Sequence, residues 1–240
     1  MLDTFAGIGG FSYAATKLVG GYRTTQFIEI DPFCQKILKK HFPFTPIHDD
    51  IRTFTAIPGQ YDVICGGFPC QSISVAGNRA GITEESRSGI FYELMRVIRM
   101  VRPRFVVLEN VAAILNNGLD IVLGELSQAG YDAEWSVISA SSLGACHRRS
   151  RWWCVATLTN SDSKRLQRQD FREMEREIWA KGTTRRLNPD WRSYVSKPIL
   201  RRGDDGLSYR VDRTKALGNS VVPQVAAIPL KRVLDLYNNE

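Results

Sequence analysis

Short runs of β-branched and aromatic residues alternate with helically spaced segments along most of this chain, and nothing else in the sequence restricts the fold as much. The strand-like runs are Thr25–Ile28, Val63–Cys65, Phe105–Leu108, Trp135–Ser139 and Trp152–Thr157. Between them Phe91, Leu94, Ile98 and Val101 fall on one helical face that Arg102-Pro103 ends. Leu119, Val122, Leu123 and Leu126 repeat the pattern, with Gly130 as the stop. Strand–helix alternation predicts an α/β fold, a mostly parallel sheet with helices on both faces. The stretch Lys215–Tyr237 turns apolar again and is expected to return to that core. The expected plan is a large unit over 1–157, a short basic region over 158–212 and a returning segment over 213–240.

Composition narrows the class further. The chain has 240 residues, 43% of them hydrophobic and 24% charged, which excludes a disordered or low-complexity protein. Its longest uncharged run, Val63–Asn78, falls short of the ~20 apolar residues of a membrane span. Met1-Leu2-Asp3 lacks the basic and apolar regions of a secretory signal. Five cysteines, an odd number in a chain of this size, fit a reducing cytosol, so a cytoplasmic protein is expected. Net charge is +7, and residues 159–213 carry fourteen Lys/Arg against nine Asp/Glu, an excess of five. Trp179, Trp191, Tyr194 and Tyr209 lie among them. Two readings of that region stay open: a solvated helix and loop, or a segment that contacts phosphates.

Asp3-Thr4-Phe5-Ala6-Gly7-Ile8-Gly9-Gly10 stands where a first strand should turn into a first helix. Glycines there allow positive φ and let a ligand approach the backbone, and the helix start offers free N–H groups. Glu29 follows about twenty residues later at the end of the next strand, where a carboxylate can take both hydroxyls of a ribose. Asp50-Ile51 closes a third segment, suited to an adenine amino group and ring face. Either carboxylate taken alone reads as a surface group; the ordered set points to a nucleoside.

The loop Gly66-Gly67-Phe68-Pro69-Cys70-Gln71-Ser72 follows another strand. Ligands bind at the C-terminal strand ends of open α/β sheets. A thiol in such a Gly- and Pro-shaped loop is exposed and held, whereas Cys65, inside the strand, is expected to be buried. Nucleophilic use of Cys70 requires a thiolate, favoured by nearby cations or dipoles. No Cys-x-x-Cys or His pair lies at ligand spacing, so no metal is expected. Glu109-Asn110-Val111 brings a carboxylate to the same sheet edge. Arg149 and Arg151, one residue apart before a strand, are expected on one side, either as a solvated basic patch or as a pair that fixes a phosphate and a carbonyl oxygen.

These segments, together with Gly218-Asn219-Ser220-Val221-Val222-Pro223, occur in the order of one family. Over residues 1–156 and 213–230 the chain resembles the DNA (cytosine-5) methyltransferases. The resemblance implies a Rossmann-like S-adenosylmethionine-dependent fold with a small target-recognition region. It implies that Phe5, Ala6, Gly7, Ile8, Gly9 and Gly10 cradle the cofactor and that Glu29 holds its ribose. Ile30, Asp50 and Ile51 would face the adenine, with Pro69, Ile90 and Asn219 completing the pocket. Cys70 would add to carbon 6 of a cytosine flipped out of duplex DNA. Glu109 would act protonated at ring N3, and Arg151 and Arg149 would hold the base carbonyl and neighbouring phosphate. Gln71, Ser72 and the loop through Arg87 would grip the DNA backbone and fill the gap. The expected partner is double-stranded DNA, bound by a monomer; a partner restriction endonuclease is left open.

Two other readings stand beside this one. The same family includes a tRNA-directed branch, but the Cys-Phe-Thr triplet of that branch is missing here. A cofactor- or DNA-binding relative without catalysis is the other, and the joint presence of Cys70, Glu109 and both arginines speaks against it.

Overall fold

The computed structural model describes residues 1–69, 89–159 and 210–238. Cys70, Gln71, Ser72, the loop through Arg87, the charged helix expected over 164–181 and nearly all of the 158–212 region lie outside the described residues.

Seven strands form one sheet: β1 (Leu2–Thr4), β2 (Gln26–Ile28), β3 (Ile47–His48), β4 (Val63–Gly67), β5 (Phe105–Val111), β6 (Tyr131–Ser139) and β7 (Ser150–Leu158), in the order β3-β2-β1-β4-β5-β7-β6. The first five pair in parallel. The order reverses between β1 and β4, and in doubly wound sheets ligands sit outside the strand ends at such a reversal. Within this mostly parallel sheet β7 runs antiparallel to both β5 and β6. Residues 140–149 between β6 and β7 hold only a short 3-10 turn, Ala140–Leu143. A parallel return needs a crossover of a dozen or more residues, usually a helix, so the chain doubles back instead.

Strand alternation sends side chains to two cores. On one face Ile64, Val106, Leu108, Trp152, Cys154 and Ala156 meet helices α3 (Gly89–Val101) and α4 (Leu119–Gln128). The expected stripe Phe91, Leu94, Ile98 and Val101 is buried there, joined by Met95 and Val97. Burying each such side chain contributes about 1.5–3 kcal/mol. Gly130, at φ +86°, follows the end of α4 and accommodates the left-handed turn. On the other face Val63, Cys65, Phe105, Val107, Trp153 and Val155 pack under α1 (Gly10–Tyr13), its π-helical continuation Ala14–Val19, and the C-terminal helix. Cys65 is fully buried, as its place in the strand implies.

A 3-10 turn, Ala112–Asn116, follows β5, and three further α-helices lie among the described residues. α2 (Pro32–His41) has Pro at its first position and Asp31 as N-cap, whose carboxylate accepts the N–H groups of Phe33 and Cys34. α5 (Arg210–Asn219) and α6 (Pro223–Asn238) form the returning segment. Val225, Ala226, Ile228, Leu230 and Val233 of α6 enter the second core, so the C-terminal stretch does rejoin the sheet. The Tyr22 hydroxyl donates to the Leu230 carbonyl at 2.6 Å, fastening the two ends of the chain together.

Candidate active site at the sheet reversal

The turn after β1 is built by backbone conformations that side chains resist. Phe5, Gly7 and Gly9 have φ of +53°, +54° and +87°. A Cβ on Gly9 would sit 2.9 Å from the Phe42 ring and 3.0 Å from Leu38, so this glycine lets α2 pack against the turn. A Cβ on Gly7 would meet nothing within 4 Å. One glycine therefore serves packing, while the other faces open space where a ligand can reach the main chain. Beneath the turn Asp3 is fully buried and accepts the Ser12 N–H and hydroxyl, which anchors α1 to β1. Burial pushes its carboxyl up to about 7.

Glu29 leaves the C-terminal end of β2 and is buried. One carboxylate oxygen accepts the Gly7 N–H at 2.6 Å and the other the Asp31 N–H at 2.7 Å. These bonds fix the carboxylate against the glycine turn and leave lone pairs for two further donors. Burial still raises its pKa more than those bonds lower it. Ile30 beside it is exposed and Ile51 is buried in the adjoining core, so one apolar side chain is offered to a ring. Asp50 is engaged: Arg52 Nη2 lies 2.7 Å from Oδ2, and the Arg52 main-chain N–H also donates to the carboxylate. The Asp50-Ile51 bend is itself held by Arg96, whose guanidinium donates to the carbonyls of Ile51 at 2.6 Å and Phe54 at 3.1 Å. Pro69 is exposed at the end of the described β4 loop, Ile90 is half-buried against the first core, and Asn219 is exposed at the end of α5. Ala6 is buried and Ile8 half-buried.

Across the reversal, Glu109 lies on the same sheet face as Phe105 and Val107 and is buried. β5 continues past Leu108 to Val111, so the carboxylate sits within the strand rather than beyond it. A Cβ on Gly67, paired with Glu109 in the adjacent strand, would come 3.2 Å from Glu109 Oε2; the glycine makes room for the carboxyl group. Arg151 Nε stands 3.0 Å from Oε1. Its residue pairs with Val111, so the two side chains meet diagonally on one face of the β5–β7 ladder. Burial pushes the Glu109 carboxyl up to about 7, and the charges of Arg151 and Arg149 only partly oppose it. A carboxyl raised in this way keeps its proton to higher pH than an exposed one does.

Arg149 stands just before β7, which begins at Ser150, and has φ +34°; its charge acts on both Arg151 and Glu109. Its guanidinium donates to the carbonyls of Gly218 at 2.9 Å and Ser220 at 2.6 Å. Burial and the neighbouring Arg151 charge lower its pKa, while Glu109 raises it.

Two residues of this site have roles the sequence reading did not assign. Asn110 Nδ2 donates to the Phe68 carbonyl at 3.2 Å, and its Oδ1 accepts the Val111 N–H at 2.8 Å, so it holds the loop that leads to Cys70. Gln35 Nε2 donates to the Glu29 carbonyl at 2.7 Å. Asn110 stood in the Glu109-Asn110-Val111 segment, but nothing local showed what its amide would hold. Among the described residues no group of His, Cys, Asp and Glu could hold a metal ion, and no helix is long and apolar enough to cross a membrane.

The donor set suits S-adenosylmethionine: a carboxylate with spare lone pairs for a ribose, exposed Ile30 for a ring, and open main chain at Gly7. The chain is also similar to known proteins. The chain is 37% identical over 158 residues to the Type II methyltransferase M.CviJI of Paramecium bursaria Chlorella virus IL3A, covering 65% of this chain and 42% of that protein. It is 33% identical over 181 residues to M2.BsuMI of Bacillus subtilis, covering 72% and 46%. The chain thus spans less than half the length of these curated relatives. A crystal structure of a protein encoded within an Escherichia coli prophage shares the fold, with a TM-score of 0.61 and 19% identity over 99% of both chains. Residues 1–200 match the family described as C-5 cytosine-specific DNA methylases, and the chain belongs to that family.

Proposed function

We propose that this protein methylates carbon 5 of cytosine in double-stranded DNA, with S-adenosylmethionine as donor. The observation that supports this most is Glu109: a buried carboxyl raised to about 7, beside Arg151 and across the sheet reversal from the Gly7–Glu29 cradle. The reading assigns Phe5 to Gly10, Glu29, Ile30, Asp50, Ile51, Pro69, Ile90 and Asn219 to the cofactor. Asp50 would serve the adenine once Arg52 yields, an exchange that an exposed ion pair resists only weakly. When bound, the cofactor supplies an electrophilic methyl group on a sulfonium.

Carbon 5 of cytosine is a poor nucleophile until the ring is activated. The Cys70 thiolate adds to carbon 6 while protonated Glu109 gives a hydrogen bond or proton to N3, so the electron pair released at carbon 5 can take the methyl group. Arg151 holds Glu109 in place and can reach the base carbonyl oxygen with donors not spent on the carboxylate. Loss of the carbon 5 proton to water, departure of Cys70 from carbon 6 and return of the N3 proton to Glu109 restore the ring, the thiolate and the acid. Since a stacked base exposes neither carbon, the cytosine must leave the duplex, which costs a few kcal/mol.

The test is methyl transfer itself. Protein incubated with labelled S-adenosylmethionine and a long mixed-sequence duplex should yield 5-methylcytosine on nucleoside digestion, and RNA of equal length should yield none. Product on RNA alone would select the tRNA-directed reading. Absence of product on both, with the cofactor demonstrably bound, would select a relative that does not catalyse.

A further inference from the structure

α5 is pinned at two points to opposite halves of the site. On the cofactor side Lys215 Nζ lies 2.8 Å from Asp31 Oδ2. Asp31 is the N-cap of α2, and its own N–H donates to Glu29 Oε1. On the base side the carbonyls of Gly218 and Ser220, where α5 ends, accept from Arg149, two residues from Arg151. Between these pins the turn leans on the glycine segment: a Cβ on Gly10 would stand 2.6 Å from Val221 Cγ2 and 3.2 Å from Ser220 Oγ. Gly67, next to Glu109, also lies against Val221. Arg149 is held at φ +34°, a conformation a non-glycine residue keeps only where its surroundings enforce it.

We propose that α5 and the turn 218–221 form a brace between the two halves, with Lys215 and Arg149 as positioning residues for the cofactor pocket. The proposal rests on the methyltransferase reading of that pocket. Lys215 sets Asp31, and through the Asp31 N–H the carboxylate of Glu29. Arg149 sets the turn whose Val221 closes against Gly10. Cofactor affinity should then depend on an arginine that stands on the base side and on a lysine outside the pocket.

The experiment measures S-adenosylhomocysteine binding by calorimetry for the wild-type protein, Lys215→Met, Asp31→Asn, their double variant, Arg149→Met and Arg149→Lys. Asn is a good N-cap, so Asp31→Asn removes the charge while sparing α2. Each single change at 31 or 215 should weaken binding about two- to fivefold at unchanged Tm, the range an exposed pair allows, and the double variant should be no worse than either. Arg149→Met should weaken binding and speed amide exchange at 218–221, and Arg149→Lys should recover part of both. Wild-type affinity in all variants, or fully additive losses at 31 and 215, would overturn the brace. Failure of the wild-type protein to bind S-adenosylhomocysteine would overturn the methyltransferase reading, and the brace with it.

Discussion

Replacing Glu109 by Gln preserves the shape of the side chain and removes one ionisation, which isolates what burial does to this carboxyl. In the folded protein burial pushes it from 4.5 up to about 7. In the unfolded chain it ionises near 4.5, so between the two values the fold retains a proton that the unfolded chain has released. Stability must therefore fall as pH rises through that window, by about 1.4 kcal/mol per unit and about 3 kcal/mol by pH 7.5. The amide of the Glu109→Gln variant does not titrate, so the unfolding free energy of the variant minus that of the wild-type protein should rise by about 3 kcal/mol between pH 4.5 and 7.5. The difference is the informative quantity, because Asp3, also raised to about 7, titrates in the same window in both proteins. Urea denaturation followed by circular dichroism at half-unit pH steps measures it. A flat difference would refute the reasoning, and a falling one would mean that Arg151 and Arg149 outweigh burial and keep Glu109 ionised.

Other residues give sharper contrasts. Gly7→Ala should cost about 1–2 kcal/mol of stability from its φ of +54° alone, yet weaken S-adenosylhomocysteine binding at least tenfold, since its methyl enters space proposed for the cofactor; thermal unfolding and calorimetry separate the two effects. Gly9→Ala should be more destabilising, by about 2–4 kcal/mol, because its Cβ also meets Phe42 and Leu38. Arg151→Met should destabilise more above pH 7, where wild-type Glu109 gains from the arginine charge and the variant must keep the carboxyl protonated or bury it unpaired, than at pH 5, where the carboxyl is protonated in both; denaturation at the two pH values tests the sign. Glu29→Ala should leave the N–H groups of Gly7 and Asp31 unpaired, costing about 1–3 kcal/mol, and abolish measurable cofactor binding.

Local pattern disclosed much of this architecture. The apolar runs Val63–Cys65 and Phe105–Leu108 became central strands, since residues covered on both faces must be apolar throughout. The stripe from Phe91 to Val101 and the Gly130 stop marked α3 and α4 with their ends. The glycine turn was legible because its parts lie together, and Gly7 and Gly9 take the positive φ expected there. Direction of pairing was not: the runs that became β6 and β7 look alike whether parallel or antiparallel, and only the brevity of the connection over 140–149 decides. Contacts set by distant segments were equally hidden. The spacing that set Arg149 beside Arg151 gave no sign that its guanidinium also donates to the carbonyls of Gly218 and Ser220. The Lys215–Asp31 pair joins residues 184 positions apart, which no local pattern reveals. Asp3 reads as an ordinary strand-end acid, and its burial follows from α1 closing over it.

The proposed chemistry stands on a bond between sulfur and base, and that bond can be trapped. A duplex carrying 5-fluorocytosine blocks the final proton loss, so the protein with S-adenosylmethionine should remain attached to it through boiling in detergent, with mass spectrometry locating the nucleotide on Cys70. Cys70→Ser should bind cofactor normally and leave no attached DNA. A stable complex that persists in Cys70→Ser, or no complex from a wild-type protein that methylates ordinary DNA, would contradict the account.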